Sequence, residues 1–453
     1  MTATTLAQKI EPAAVGFDEL EKDYRPMLRL VEQLIGVVPN CDPVLEIWPP
    51  GFRSYNLLVP NLLNLPASLV GQGAPKDLVG LAMYVASRAA ECMYCSAHTC
   101  SFALRRGTTP EALVGNYSPE EAAVARVAEA IARVPVDITR ADISELESFL
   151  SPGEIEWVVL SVGMMGFLNK FMDTMGIELE EAAIGDVEDL IGPTGWKVGK
   201  HGWNSEPVDE FDMAGGRPLH PRKPATDPNG NGHGARGSAN GSQPGYLSVP
   251  KDSLGTYLRV IRQAPGAIRK ERQWTKGMAS RIAPALLTLE ADVGHSFPIL
   301  ASLHHSKAVR AIATVLRDNL DPTTSALGVR AKCLVGLVYA RVVGNEVLTS
   351  EAIQLALSLV PDLDHPLLTA VGRFATAPPE SATLPPQLTS VEQAAVMLAK
   401  VAAPSPSQVN EISIEAAAGS LTPAQIVETV VWLSVQQLLH RLYSFYDASR
   451  SIY

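Results

Sequence analysis

Two stretches of this chain, 271 residues apart, are built alike. Leu150-Ser-Pro-Gly-Glu-Ile runs into the apolar segment Trp157 to Phe171, and Leu421-Thr-Pro-Ala-Gln-Ile runs into Glu428 to Leu442, with no gap needed to match them. Both openings have the form of a capping box, Ser151 with Glu154 and Thr422 with Gln425, and both place proline (Pro152, Pro423) at the first helical position, where a missing N–H costs nothing. A second block, Glu120-Glu-Ala-Ala-Val124, matches Glu392-Gln-Ala-Ala-Val396 at an offset of 272, and Leu78-Val-Gly-Leu81 matches Leu334-Val-Gly-Leu337 near 256. Three blocks in one order constrain the fold to a duplicated scaffold.

The unit that is duplicated reads as helical. Gly107 behind Arg105 and Arg106 has the form of a helix end, with cations on the negative pole of the dipole. Thr109-Pro110-Glu111 and Ser118-Pro119-Glu120 read as new starts. Helical apolar spacing runs through 78 to 106, 119 to 133, 152 to 175, 256 to 272, 326 to 342, 391 to 402 and 423 to 446, and strand signals are lacking. The expected fold class is all-α: two related helical bundles, 1–214 and 250–453. Between them, 215–249 is rich in Gly, Pro and Asn with almost nothing apolar to bury, the composition of a disordered linker. A chain of 453 residues also suits two cores of roughly 200 residues each.

A net charge of -11 argues against nucleic acid as a partner, since phosphate binding needs clustered Lys and Arg. The first 35 residues carry scattered charges and no signal-like apolar core, and the run Trp157 to Leu168 falls short of the ~20 residues that span a bilayer. No membrane association and a cytoplasmic location are the resulting expectations. Three of the five cysteines fall within residues 92 to 100, unlike the spaced framework of a secreted scaffold.

That cluster reads Glu91-Cys-Met-Tyr-Cys-Ser-Ala-His98. On a helix Cys92 and Cys95 lie one turn apart with β-carbons about 5–6 Å from each other, wider than the ~3.5–4.5 Å of a disulfide, so a bond between them would be strained and easily reduced. His98, a further turn on, is placed to take a proton from Cys95. A free thiol is about 3% ionised at pH 7, and a shift of two units raises this to about 75%. Redox chemistry competes with two other readings: buried structural cysteines packed on Met93 and Tyr94, and a metal site drawn from Cys92, Cys95, His98 and Cys100. Attached haem is excluded because Ser96, not histidine, follows Cys95.

The run Ala86-Ser-Arg-Ala-Ala-Glu-Cys-Met-Tyr-Cys-Ser-Ala-His-Thr99 resembles the Cys-x-Tyr-Cys…His signature of the alkylhydroperoxidase D and carboxymuconolactone decarboxylase family. Residues 118 to 132 and 163 to 178 look like that family's later helices, so the resemblance covers most of the first half and reaches the second through the repeat. It implies an all-helical subunit assembled into trimers or hexamers, here three chains in a pseudo-hexameric ring. It implies that Cys95 attacks peroxide, that Cys92 captures the resulting sulfenic acid, and that His98 relays the proton. No bound cofactor is implied; a protein bearing a dithiol would be the external reductant. The chain departs from the pattern at Gly80, where peroxidases of the family commonly carry a glutamate, and in placing histidine three rather than four residues after the second cysteine. Glu91 and Asp77 are the nearby carboxylates that could stand in.

The second half lacks the motif: Ala340 to Ile353 has neither cysteine nor histidine. Cys333 reads as a core residue, His304-His305 as a solvent-facing or capped pair, and His440, opposite Asn169 in the repeat, as structural. The leading functional expectation is a thiol-dependent peroxidase. Its rivals are a lyase acting on a small carboxylated lactone and a non-catalytic assembly or binding protein on the same scaffold.

Overall fold

The structure is a computed structural model, and it describes residues 4–203, 244–378 and 381–450. Those residues are helical, with no strand among them. The first half contains α1 (Leu6–Ile10), α2 (Phe17–Ile35), α3 (Cys41–Leu45), α4 (Pro49–Leu62), α5 (Lys76–Ala89), α6 (Met93–Arg106), α7 (Pro110–Leu113), α8 (Pro119–Ala132), α9 (Arg140–Glu147), α10 (Pro152–Met175) and α11 (Glu181–Ile191). The second contains α12 (Leu254–Trp274), α13 (Ile282–Val293), α14 (Ser306–Leu320), α15 (Val329–Val342), α16 (Glu346–Leu359), α17 (His365–Thr376), α18 (Ser390–Ala402), α19 (Glu411–Ser420) and α20 (Pro423–Arg450).

Helices recur between the halves in a fixed register. α8 and α10 start 271 residues before α18 and α20, and their N-caps Ser118, Ser151 and Thr389 close capping boxes through Glu121, Glu154 and Glu392. The pairs α5/α15 and α6/α16 have equal lengths and an offset of 253. The sequence match of Leu78 with Leu334 is therefore one turn out of register, and Leu81 is the true counterpart. A slip of three residues returns an apolar position to nearly the same helix face, so the apolar pattern alone cannot detect it. The change from 253 to 271 is taken up between residues 360 and 389, where the longer α17 replaces α7.

The segment 78 to 106 is not one helix. Glu91 takes a left-handed conformation, φ 53°, and its counterpart Gly344 does the same at φ 70°. The chain breaks there into α5 and α6, and into α15 and α16.

α10 and α20 lie against each other at the centre, and the apolar residues of both halves form one continuous core. Gly166 permits this closeness, since a β-carbon there would stand 3.0 Å from the Gln437 carbonyl oxygen. At 24 residues α10 is longer than its apolar run suggested, and it is long and apolar enough to cross a membrane; here it is buried inside the protein, so side chains rather than lipid solvate it. Of the linker, 215–243 lies outside the described residues, as do 204–214. At its end, Gly245–Ser248 forms a 3-10 turn against α11, with the Gly245 N–H on Asp189.

Candidate active site

Cys92 does not sit inside a helix. It is the N-cap of α6, and its Sγ accepts the Cys95 N–H at 3.3 Å, the role that serine or aspartate usually fills. The left-handed Glu91 turns the chain so that Cys92 N–H reaches the Ser87 carbonyl at 3.1 Å, while the Ser96 hydroxyl returns to the Cys92 carbonyl at 2.8 Å. Both thiols are buried, with Cys92 0% and Cys95 3% exposed. Burial, then the hydrogen bond with Cys95 and its charge, push the Cys92 thiol well up, so at neutral pH it keeps its proton.

His98 faces a carboxylate that the sequence did not single out. Its Nε2 lies 2.7 Å from Oε2 of Glu180, whose Oε1 accepts the Tyr94 hydroxyl at 2.9 Å and the Asn40 N–H at 2.6 Å. Burial opposes the charge on Glu180 most strongly, but the His98 imidazole, its hydrogen bond and the Asn40 N–H outweigh it and hold the carboxyl below its ordinary value. The Tyr94 ring stands between two imidazoles, His98 at 4.6 Å and His201 at 5.8 Å. Burial pushes His201 down to about 4, so it is neutral; its Nδ1 is held by the Ile177 carbonyl at 2.6 Å and its buried Nε2 has no partner among the described residues.

The sequence candidates for the missing carboxylate do not join this group. Glu91 is exposed, and Asp77 takes part through its carbonyl, which accepts the Thr108 hydroxyl at 2.7 Å. At Gly80 a glutamate could not fit, because even a β-carbon would lie 2.9 Å from the Cα of Ala103 where α5 crosses α6. The carboxylate that does meet His98, Glu180, lies on the segment leading into α11.

No family model and no curated protein matches the chain. Among solved structures, the debrominase Bmp8 in its apo form is 21% identical, with 38% of this chain and 92% of that chain covered and a TM-score of 0.34. A cysteine-to-alanine variant of the same debrominase, in complex with 2,3,4-tribromopyrrole, is 19% identical over 39% of this chain and 95% of that chain, also at 0.34.

Two further buried groups act on this site electrostatically, Arg441 toward the thiols and Asp42 toward Glu180. Arg441, fully buried on α20, donates to the Val162 carbonyl at 2.8 Å and to Asn169 Oδ1 at 3.1 Å. Burial lowers its guanidinium to about 10, with the nearby Tyr339, Cys95 and Cys92 acting in the other direction, so a cation from the second half lies within electrostatic reach of both thiols. Asp42 is buried with neither carboxyl oxygen partnered among the described residues; burial, with Glu180 and Glu46, pushes its carboxyl well up.

Elsewhere His304, His305, His440 and Cys333 are held in place. Glu156 accepts the N–H groups of His304 and His305 and the His304 Nδ1, and His305 stacks on Trp157 at 4.0 Å. His440 Nδ1 meets the Asn345 amide at 3.0 Å, and Cys333 is packed in the core. Among the described residues no three His, Cys, Asp or Glu side chains group as metal ligands.

Proposed function

We propose that this chain is a thiol-dependent oxidoreductase that reduces hydroperoxides. The observation that carries the reading is the arrangement around α6: a capping thiol, Cys92, one turn from Cys95, with a histidine fixed by a buried carboxylate one turn beyond. Cys95, as thiolate, attacks the outer oxygen of ROOH; the O–O bond breaks, Cys95 becomes a sulfenic acid, and ROH leaves with a proton relayed by His98. The Cys92 thiol then attacks the sulfenic sulfur, forming the disulfide and releasing water. An external dithiol, the stoichiometric reductant, exchanges with that disulfide, restores both thiols and leaves as its own disulfide.

The test is to treat the reduced full-length protein with tert-butyl hydroperoxide and follow both cysteines by mass spectrometry. Wild type should gain a Cys92–Cys95 disulfide, and Cys92→Ser should stop at a sulfenic acid that dimedone traps on Cys95. A Cys95→Ser variant oxidised as fast as wild type, or a wild type inert to peroxide, would remove the proposal. The near-complete burial of both thiols favours one alternative, a binding or assembly protein on the same scaffold, and inertness to peroxide is what that alternative requires.

A further inference from the structure

The offset of 253 places Asn345 opposite Cys92, Leu348 opposite Cys95 and Glu351 opposite His98. The local geometry is retained: Asn345 Oδ1 accepts the Leu348 N–H at 2.8 Å as Cys92 Sγ accepts that of Cys95, and the Thr349 hydroxyl bonds the Asn345 carbonyl as Ser96 does that of Cys92. Thus the half without thiols keeps the frame of the site and puts a carboxyl where the other half has its base.

That carboxyl opens on a pocket. Between the 3-10 turn Pro298–Ser302, α16 and the end of α20 lies a pocket of about 610 Å³ including its mouth, lined by Ile299, Glu351, Gln354, Tyr443 and Tyr446. Glu351 and Tyr443 are each only 7% exposed. Among the described residues the Tyr443 hydroxyl is buried with no hydrogen-bond partner and Glu351 makes no hydrogen bond. Burial alone pushes the Glu351 carboxyl up to about 8, as expected of an acid with no compensating donor or cation beside it. Tyr446 is committed elsewhere, its hydroxyl bonded to Glu156. Arg450 and Asp447 are exposed at the rim, with Arg450 bonded to the Ser302 hydroxyl.

A buried polar group without a partner is costly unless something occupies it. The floor offers a carboxyl and a phenol oxygen, both able to accept, beside two tyrosine rings whose faces attract cations. The chain as a whole carries a net charge of -11. We propose that this pocket in the second half binds a small organic ammonium ion, with the amine on Glu351 and Tyr443 and its carbon frame against Ile299 and the tyrosine rings. The proposal is independent of thiol chemistry in the first half.

Calorimetric titration of the full-length protein at pH 7 with benzylamine, benzyl alcohol and benzoate tests it. Benzylamine should bind at least tenfold tighter than benzyl alcohol, with benzoate weakest. Glu351→Gln should erase the preference for the amine, and Tyr443→Phe should weaken the amine severalfold. Equal binding of amine and alcohol by wild type, tighter binding of benzoate, no amine binding at millimolar concentration, or an intact amine preference in Glu351→Gln would each overturn it. The comparison of three ligands on wild type needs no variant, so a folding defect in Glu351→Gln leaves the test decisive.

Discussion

His98 Nε2 stands 2.7 Å from Glu180 Oε2 across the junction of α6 and the segment before α11. Because the other carboxylate oxygen is held by the Tyr94 hydroxyl and the Asn40 N–H, the acid cannot swing away from the imidazole. With Nε2–H donating to it, a neutral ring carries its lone pair on Nδ1, which leaves that nitrogen able to act as a base. Glu180→Gln breaks this assignment, since an amide can present either oxygen or nitrogen to the ring. The expected result is a loss on the order of 10²-fold in peroxide-dependent oxidation of Cys95, with the fold intact by circular dichroism. A stopped-flow rate equal to wild type would show that Glu180 has no part in the chemistry.

Two buried histidines each contribute a loss of stability toward acid within a window of their own. Burial brings His201 down to about 4 and His440 down to about 3, both below the ordinary 6.5. Between those values and 6.5 the unfolded chain binds more protons than the folded one, so stability is fully present above about pH 6.5 and is lost as pH falls toward 4 and then 3. Each histidine contributes a slope of up to about 1.4 kcal/mol per pH unit within its window. The carboxyls of Glu46 and Glu351, pushed up to about 7 and about 8 by burial, titrate in the opposite sense, so the histidine contribution is read as a difference between variants. From pH 7 to pH 4 the urea midpoint of wild type should fall relative to that of His440→Gln; a difference between the two that does not change with pH would contradict this.

The legible parts of the fold were the local ones. Proline at the first turn with a Ser or Thr cap and an acid or amide three residues on marks α8, α10 and α20 within a few residues, because each cap is closed by its own neighbours. Gly107 likewise ends α6 at φ 104°. The break at Glu91 was hidden, since neither glycine nor proline marks it and cysteine is an unusual cap, so the helical period reads straight through. The site divided in the same way. Cys92, Cys95 and His98 share one short stretch and could be seen together, whereas Glu180 comes from 82 residues downstream and Arg441 from the other half. No spacing rule connects residues brought together only by packing.

Gly80 is fixed by the crossing of α5 and α6. An added methyl would press on the Ala103 Cα at 2.9 Å, its Cβ at 3.1 Å and the Thr108 hydroxyl at 3.3 Å, and backbone cannot move aside as a flexible side chain can. Gly80→Ala should cost about 1–3 kcal/mol despite its better helix propensity, read as a lower urea midpoint at unchanged slope. Because α6 carries Cys95, peroxide reactivity should fall as well. A variant as stable as wild type would mean that the two helices have room to separate.

Lys170 and Arg441 occupy the same position in the two copies of the repeat, and each is satisfied by the opposite half. Lys170 Nζ donates to the carbonyls of Ala402, Ala403 and Pro404 at 2.7, 2.9 and 2.6 Å, at the end of α18; Arg441 donates to the Val162 carbonyl and Asn169 on α10. Neither half can therefore satisfy its own buried groups alone. Lys170→Met leaves three carbonyls without their donor in the seam and should cost about 3 kcal/mol or more. Since those carbonyls belong to the second half and the lysine to the first, the loss should lower a single shared unfolding transition rather than detach one half. Calorimetry of wild type should show one endotherm, moved down intact in Lys170→Met. Two resolved endotherms in wild type, with only one shifted by the substitution, would mean that the halves are stabilised separately and that this exchange of cations does not bind them together.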